Sequence, residues 1–462
     1  MTVSCELLLC LGAHQRLTSG LGRQFESSDF TVKQPLREPD APAAIRDPDQ
    51  DQVLFDWCAR GSAPGASPRA ELLDQTLRDG LQSPSVHNPA IEQKLDLLRC
   101  MAEVGVQVFD AGLPASSSKS LDDAVVLARA VSEERLDLEP ICSARAELSD
   151  VDAVCQVADR AGRALGVYIF IGTSRIRAMA EQWSDESVLA RVVSAIARAR
   201  ARGMPVTFVA EDASRTAPET LSSIVDVALD AGAERLCLCD TAGALNPAGA
   251  RQLVKYVRDH LAARGQLEIG IDWHGHDDRA MALAVALTAW EAGADRIHAT
   301  ALGQGERAGN TPLEMMVVNW VLDGIVPEPR LGSLIEYATC AARVLKVPIP
   351  AKYPVVGPDA FRTATGVHAS AISRAQSSGD QWLADRVYSS VPADLVGRRQ
   401  EICVGFVSGR SNVRHWLRIQ GLEGDPDLVE AMLTRAKQSD RVLTDEELIG
   451  WVAELRGRLR SP

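Results

Sequence analysis

The sequence predicts an α/β protein centred on a closed, parallel (β/α)8 barrel, and three observations carry that prediction. Eight short strand-like runs alternate with amphipathic helical segments in one uninterrupted series between residues 70 and 325. They recur about every 30 residues, the length of one strand, its helix and the connections. The turn after the first run reads LRDGLQ, without the G-x-G-x-x-G that an open, dinucleotide-binding sheet requires there.

The strand runs are ELLDQTL (71 to 77), VQVFDAG (106 to 112), LEPICSA (138 to 144), GVYIFIG (166 to 172), PVTFVAE (205 to 211), RLCLCD (235 to 240), EIGIDWH (268 to 274) and DRIHATA (295 to 301). Several intervening helices announce their ends. Ser184 caps a run with Asp185 and Glu186 in its first turn and Arg198, Arg200 and Arg202 before Gly203, charges that complement the helix dipole. Thr216 with Glu219 reads as a capping box. Asn246 and Pro247 open another helix, which Gly265 closes. Cys237 and Cys239 share one face of a buried strand and read as small core residues.

The flanks differ in texture. Residues 1–69 are rich in Pro, Asp, Ser and Gly and show no sustained period, which predicts a flexible N-terminal extension. Past residue 326 the alternation stops: one helix, a Pro-rich connector (VPIPAKYPVVGP), a mixed stretch to about 420 and a charged helical tail. Residues 326–462 therefore read as a smaller, mixed to helical C-terminal subdomain. Taken whole, the expected fold is a TIM barrel over 70–325 with these two appendages.

Composition excludes several function classes. The net charge of −13 argues against nucleic acid or an anionic membrane as the main partner. No apolar run approaches the roughly 18 residues of a membrane span. Ten cysteines are scattered without a C-x-x-C pair, so neither a structural zinc site nor a secreted disulfide framework is indicated. With an acidic residue in MTVSCELLLCLGAHQ where a signal peptide would be basic, the expected setting is cytoplasmic.

Barrel enzymes place their chemistry at the C-terminal ends of the strands. Arg78 and Asp79 follow the first run, His274 and His276 stand at the end of the seventh, and the loop GQGERAGN, ending in Asn310, follows the eighth. Side chains at i and i+2 of a strand share a face, so the two imidazoles point the same way. Barrel closure makes strands 7, 8 and 1 neighbours, which puts these segments on one rim. Two imidazoles, a carboxylate and an amide oxygen suit a divalent cation such as Zn, Mn, Co or Mg. Arg78 beside it can stabilise negative charge developing on oxygen. Glu211 ends strand 5, and Thr241 after strand 6 offers a hydroxyl to a substrate carboxylate. Taken singly, these residues also read as turn, ion-pair and helix-entry residues.

The stretches DQTLRDGLQ, FVAEDASRT, CDTAGALNP, WHGHDD and GQGERAGNTP resemble, in order, the signatures of the 2-isopropylmalate and homocitrate synthase family of the DRE-TIM metallolyase superfamily. The resemblance implies a divalent metal on Asp79, His274, His276 and Asn310 that chelates a 2-oxo acid. It further implies that acetyl-CoA adds to the keto carbon, with thioester hydrolysis releasing CoA and a 2-alkylmalate or homocitrate-like product. Glu211 would complete the family's Asp-Arg-Glu trio, and Gly303, Gly305, Glu306 and Arg307 would form the loop that meets CoA.

A weaker resemblance covers TGVHAS, VYSSVPADLVGR and FVSGRSNVR. It implies acid/base roles for His368 and Tyr388, and a homodimer whose C-terminal regions cross between chains. Three positions depart from the isopropylmalate synthase pattern or flank its pocket. Tyr168 stands where a histidine is usual, Val209 where a small polar residue is usual, and Leu113 follows strand 2. They put the branched 2-oxo acid of leucine synthesis in doubt. The chain ends soon after these segments, so the family's regulatory domain, and leucine inhibition with it, is expected to be missing. Two other readings share these residues. One is a carbon-carbon lyase resembling 3-hydroxy-3-methylglutaryl-CoA lyase, whose glycine loop carries a cysteine that GQGERAG lacks. The other is a non-catalytic sensor of CoA or a 2-oxo acid.

Overall fold

A computed structural model describes residues 69–326 and 331–459. The flexible extension expected for 1–69 lies, apart from Arg69, outside the described residues. Eight parallel strands close into a barrel in chain order: β1 (Glu71–Asp74), β2 (Val108–Asp110), β3 (Glu139–Arg145), β4 (Gly166–Gly172), β5 (Val206–Glu211), β6 (Arg235–Asp240), β7 (Gly270–Gly275) and β8 (Arg296–Ala299). Closure is made by β8 on β1, with Glu71 opposite Arg296 and Asp74 opposite Ala299. The runs expected at 166–172 and 235–240 coincide with their strands. In β1, β2 and β8 the strand stops two or three residues before the predicted run does, because there the backbone already turns into the loops of the rim.

Two predicted caps form and one does not. Ser184 accepts the Ser187 N–H ahead of the helix Asp185–Ala201, and Asn246 accepts the Gly249 N–H ahead of Pro247–Ala263. The expected Thr216/Glu219 capping box is corrected, since Ala217 is the N-cap of Pro218–Asp230. Pro218 at the first helical position leaves Thr216 one residue too early, and its hydroxyl instead donates to the Asp212 carbonyl at 2.9 Å.

The barrel interior holds Leu73, Val108, Ile141 and Tyr168, with Val209 packed against them. Beside this apolar plug lies a buried polar layer. Asp272, fully buried, accepts from Arg235 Nε at 3.0 Å and from the Tyr168 hydroxyl at 2.6 Å, while Arg296 Nη1 donates to that hydroxyl at 2.7 Å. Burial alone would raise the Asp272 carboxyl, but the two guanidinium charges and His298 outweigh it and hold it ionised. A buried charge so fully bonded is tolerated, whereas removing one partner would leave it uncompensated.

In the C-terminal part, the helix Leu334–Leu345 packs on Ile91–Val104 of the barrel's outer layer. Two short strands, β9 (Arg362–Thr363) and β10 (Glu401–Ile402), pair in parallel. Val413, Trp416, Leu428, Met432 and Leu448 come from the helices Arg410–Ile419, Pro426–Ala436 and Asp445–Leu459 and form a separate small core. Among the described residues no helix is long and apolar enough to cross a membrane.

Candidate metal centre and active site

Asp79, His274 and His276 converge at the rim as expected, all three buried, with one donor atom from each within 4.8 Å of the others. The separations from Asp79 Oδ2 are 3.4 Å to His274 Nε2 and 3.8 Å to His276 Nε2, and the two Nε2 atoms lie 3.2 Å apart. Asn310 joins them: His276 and Asn310 form an isolated antiparallel bridge, and Asn310 Nδ2 donates to Asp79 Oδ2 at 2.9 Å.

The electrostatics suit a cation. Burial pushes the Asp79 carboxyl up, but Arg78, both imidazoles and the Asn310 amide overcome this and bring it down to about 2. Burial holds His274 far below the ordinary imidazole range and lowers His276 as well, so both rings are neutral and carry a lone pair. Gln75 fixes which nitrogen of His274 is free. Its amide nitrogen donates to Asp110 Oδ2 at 3.3 Å, which turns Oε1 toward His274 Nδ1 at 2.8 Å, so Nδ1 carries the proton and Nε2 faces the cluster. Asn310 Oδ1 is buried without a hydrogen-bond partner. Exchange of its amide ends would present that oxygen to the cluster. Two neutral imidazoles, a carboxylate and an orphaned amide oxygen fit a divalent ion of the Zn, Mn, Co or Mg kind.

Arg78 stands against this group. Its Nε donates to Asp110 Oδ2 at 3.1 Å and its Nη1 lies 3.8 Å from Asp79 Oδ2. Asp110 also accepts the Ser143 hydroxyl at 2.7 Å and the Gly112 N–H at 3.0 Å, so the anchor of Arg78 is itself rigid. Gln75, Asp110 and Ser143 were not singled out from sequence. The available signal was position, since Asp110 ends a strand as Glu211 and Asp240 do.

The loop after β8 is shaped by its glycines. A side chain on Gly305 would overlap Asn310 Oδ1, and Gly309 sits at φ +94° with its α-carbon facing the Gly303 carbonyl. Arg307 reaches out of the loop to Asp278, at 2.9 and 3.0 Å, and to the Thr241 carbonyl at 2.6 Å, which ties the loops after β8, β7 and β6 together. Glu306 beside it is exposed.

The other residues expected at the site take a variety of positions. The Thr241 hydroxyl accepts the Asp212 N–H at 2.8 Å, so it braces the loop after β5. Glu211 accepts from Arg177 Nε at 3.1 Å, and burial raises its carboxyl despite that cation. Leu113 is half-buried just after β2, with its carbonyl bonded to the Ser116 and Ser120 hydroxyls. Val209 packs inside the barrel. Tyr168 is buried in the barrel interior, with its hydroxyl bonded to Asp272 and Arg296. His368 and Tyr388 stack with ring centroids 3.7 Å apart, on the exposed surface of the C-terminal part.

Fold and site together define a parallel barrel with a buried carboxylate and two imidazoles at the mouth formed by its first, seventh and eighth strands. More narrowly, the chain belongs to the HMGL-like family, whose pattern matches residues 69–340. It is 35% identical to a homocitrate synthase of Methanopyrus kandleri over 84% of this chain and 94% of that protein. It is 31% identical to a probable 2-isopropylmalate synthase of the same organism, over 80% and 70% of the two chains. Its identity to a putative (R)-citramalate synthase from that organism is 33%, over 84% and 72%. Among solved structures, the HMG-CoA lyase of Brucella melitensis superposes with a TM-score of 0.51 at 17% identity, covering 62% of this chain and all of that one. At that identity the likeness shows the barrel fold alone.

Proposed function

We propose that the protein condenses acetyl-CoA with a 2-oxo acid and hydrolyses the thioester, releasing CoA and a 2-alkylmalate or homocitrate-like acid. The observation that carries this reading is Arg78 beside the buried Asp79, His274 and His276 group, in a chain related to three kinds of oxo-acid synthase. A divalent ion held by those three residues and Asn310 would supply Lewis-acid polarisation of the keto oxygen.

The chain's own groups do the rest. Arg78, anchored on Asp110, presents its fork where negative charge gathers on the former keto oxygen. Glu211 orients groups from the opposite side of the mouth. His368 and Tyr388 serve as the acid/base pair, acting on the partner's barrel in a cytoplasmic homodimer whose C-terminal regions cross. Such positioned groups typically contribute about 10² to 10⁴ in rate. Leu113, Val209 and the Tyr168 ring line the oxo-acid side-chain pocket, Thr241 stands by its carboxylate, and Gly303, Gly305, Glu306 and Arg307 meet CoA.

The test is a thiol-release assay with acetyl-CoA and a panel of 2-oxo acids, with and without a chelator. At least one oxo acid liberates CoA, and the chelator abolishes it. If no oxo acid releases thiol with any of the four metals, the reading fails.

A further inference from the structure

Glu314 lies in the first turn of the helix Leu313–Leu322, four residues beyond Asn310, and is fully buried. Its side chain does not touch the metal group. It turns back on the loop and accepts the Leu302 N–H, at 2.9 Å through Oε1 and 3.2 Å through Oε2. Leu302 has φ +54°, a left-handed conformation that a leucine adopts only at a cost and only where its surroundings hold it.

The loop of the rim begins at that strained residue. From Leu302 the chain turns through Gly303, and the Asn310 N–H returns to the Gly303 carbonyl at 2.9 Å. The position of Asn310 is therefore set by the turn begun at Leu302. Two further contacts steady the clamp: the Ala301 N–H donates to the Thr76 hydroxyl at 2.8 Å, and the Tyr353 hydroxyl of the Pro-rich connector donates to Glu314 Oε2 at 3.3 Å. A buried carboxylate is an expensive way to begin a helix, since an exposed one would serve the dipole equally well. Its placement makes sense as a brace for Leu302.

We propose that Glu314 is a positioning residue whose carboxyl, by its reach rather than its charge, holds Leu302 left-handed and so sets Asn310 beside Asp79, His274 and His276. This rests on the proposed metal site and deepens that reading by naming the group that pre-forms the fourth ligand position.

Reach and charge separate cleanly by substitution. Glu314→Gln keeps the length and an acceptor oxygen but loses the charge. Glu314→Asp keeps the charge but is one methylene short of the Leu302 amide. The full chain, stripped of metal, is titrated with cobalt(II) alone by calorimetry and visible absorption. Hydrogen exchange of peptides spanning 302–310 is measured in the metal-free protein. E314Q keeps cobalt affinity and slow exchange close to those of the unaltered chain. E314D binds cobalt about 10- to 100-fold more weakly, the usual effect of losing an outer support of a ligand, and exchanges faster across 302–310. The proposal is overturned if E314D matches the unaltered chain in both measurements, or if E314Q is as impaired as E314D. Should the unaltered chain bind no cobalt, the metal-site reading falls, and the exchange comparison alone decides the role of Glu314.

Discussion

Gln75 Oε1 accepts the Nδ1 proton of His274 at 2.8 Å, joining residues 199 positions apart in the chain. The bond sets the tautomer and orientation of a ring that would otherwise be free to present either nitrogen. Gln75→Leu keeps the shape and removes the acceptor. Metal affinity should fall about 10- to 100-fold with little change in fold, read by calorimetry and circular dichroism.

Arg78 is predicted to act through its planar fork. Arg78→Lys keeps the positive charge beside Asp79 but cannot donate to Asp110 through Nε while presenting further N–H groups to an oxyanion. Turnover in the thiol-release assay should drop by about 10² to 10³, with metal affinity retained. Unchanged turnover would remove Arg78 from the chemistry.

The stability of the fold should depend on pH through Glu314. Burial raises its carboxyl from 4.5 to about 7, with the charge of Asp74 adding to the rise, while the N–H groups of Leu302 and Glu314 itself and the Tyr353 hydroxyl offset part of it. The folded state therefore binds this proton more tightly than the unfolded chain does. Stability from this group is full below about pH 4.5 and is lost as pH rises through 7. Asp74, raised to about 6 mainly by burial, acts in the same direction. E314Q abolishes the Glu314 share, so its melting temperature should exceed that of the unaltered chain at pH 8 and match it near pH 4.5. An equal gain at both pH values would contradict the assignment.

His368 and Tyr388 form an exposed stack, which is how a pair that serves a neighbouring barrel would sit. His368→Ala and His276→Ala should each be nearly inactive alone. Mixed and allowed to exchange subunits, they should regain part of the activity, because one heterodimer site would carry an intact metal group and an intact stack. No recovery after demonstrated exchange would place the pair in service of its own barrel or outside the reaction.

Much of this architecture was legible in the chain itself. Short strand-like runs, their spacing of about 30 residues, caps such as Ser184 and Asn246, and the face shared by His274 and His276 can all be read from segments of a few to some thirty residues. Closure of eight such units then dictates that strands 1, 7 and 8 meet, which brings Asp79, His274, His276 and Asn310 together. Local reading failed where a neighbour overrode it. Thr216 lost its cap because Pro218 set the start of the helix.

Sequence by itself thus determined the barrel and the kinds of side chain at its mouth, because periodicity and residue chemistry are properties of short segments. Only the tertiary structure decided the partners: Gln75 for His274, Asp110 for Arg78, Glu314 for Leu302, and Asp272 and Arg296 for Tyr168. Each of those pairings joins different segments of the chain and depends on strand register and side-chain reach to within a fraction of an ångström. No local pattern in the chain encodes that.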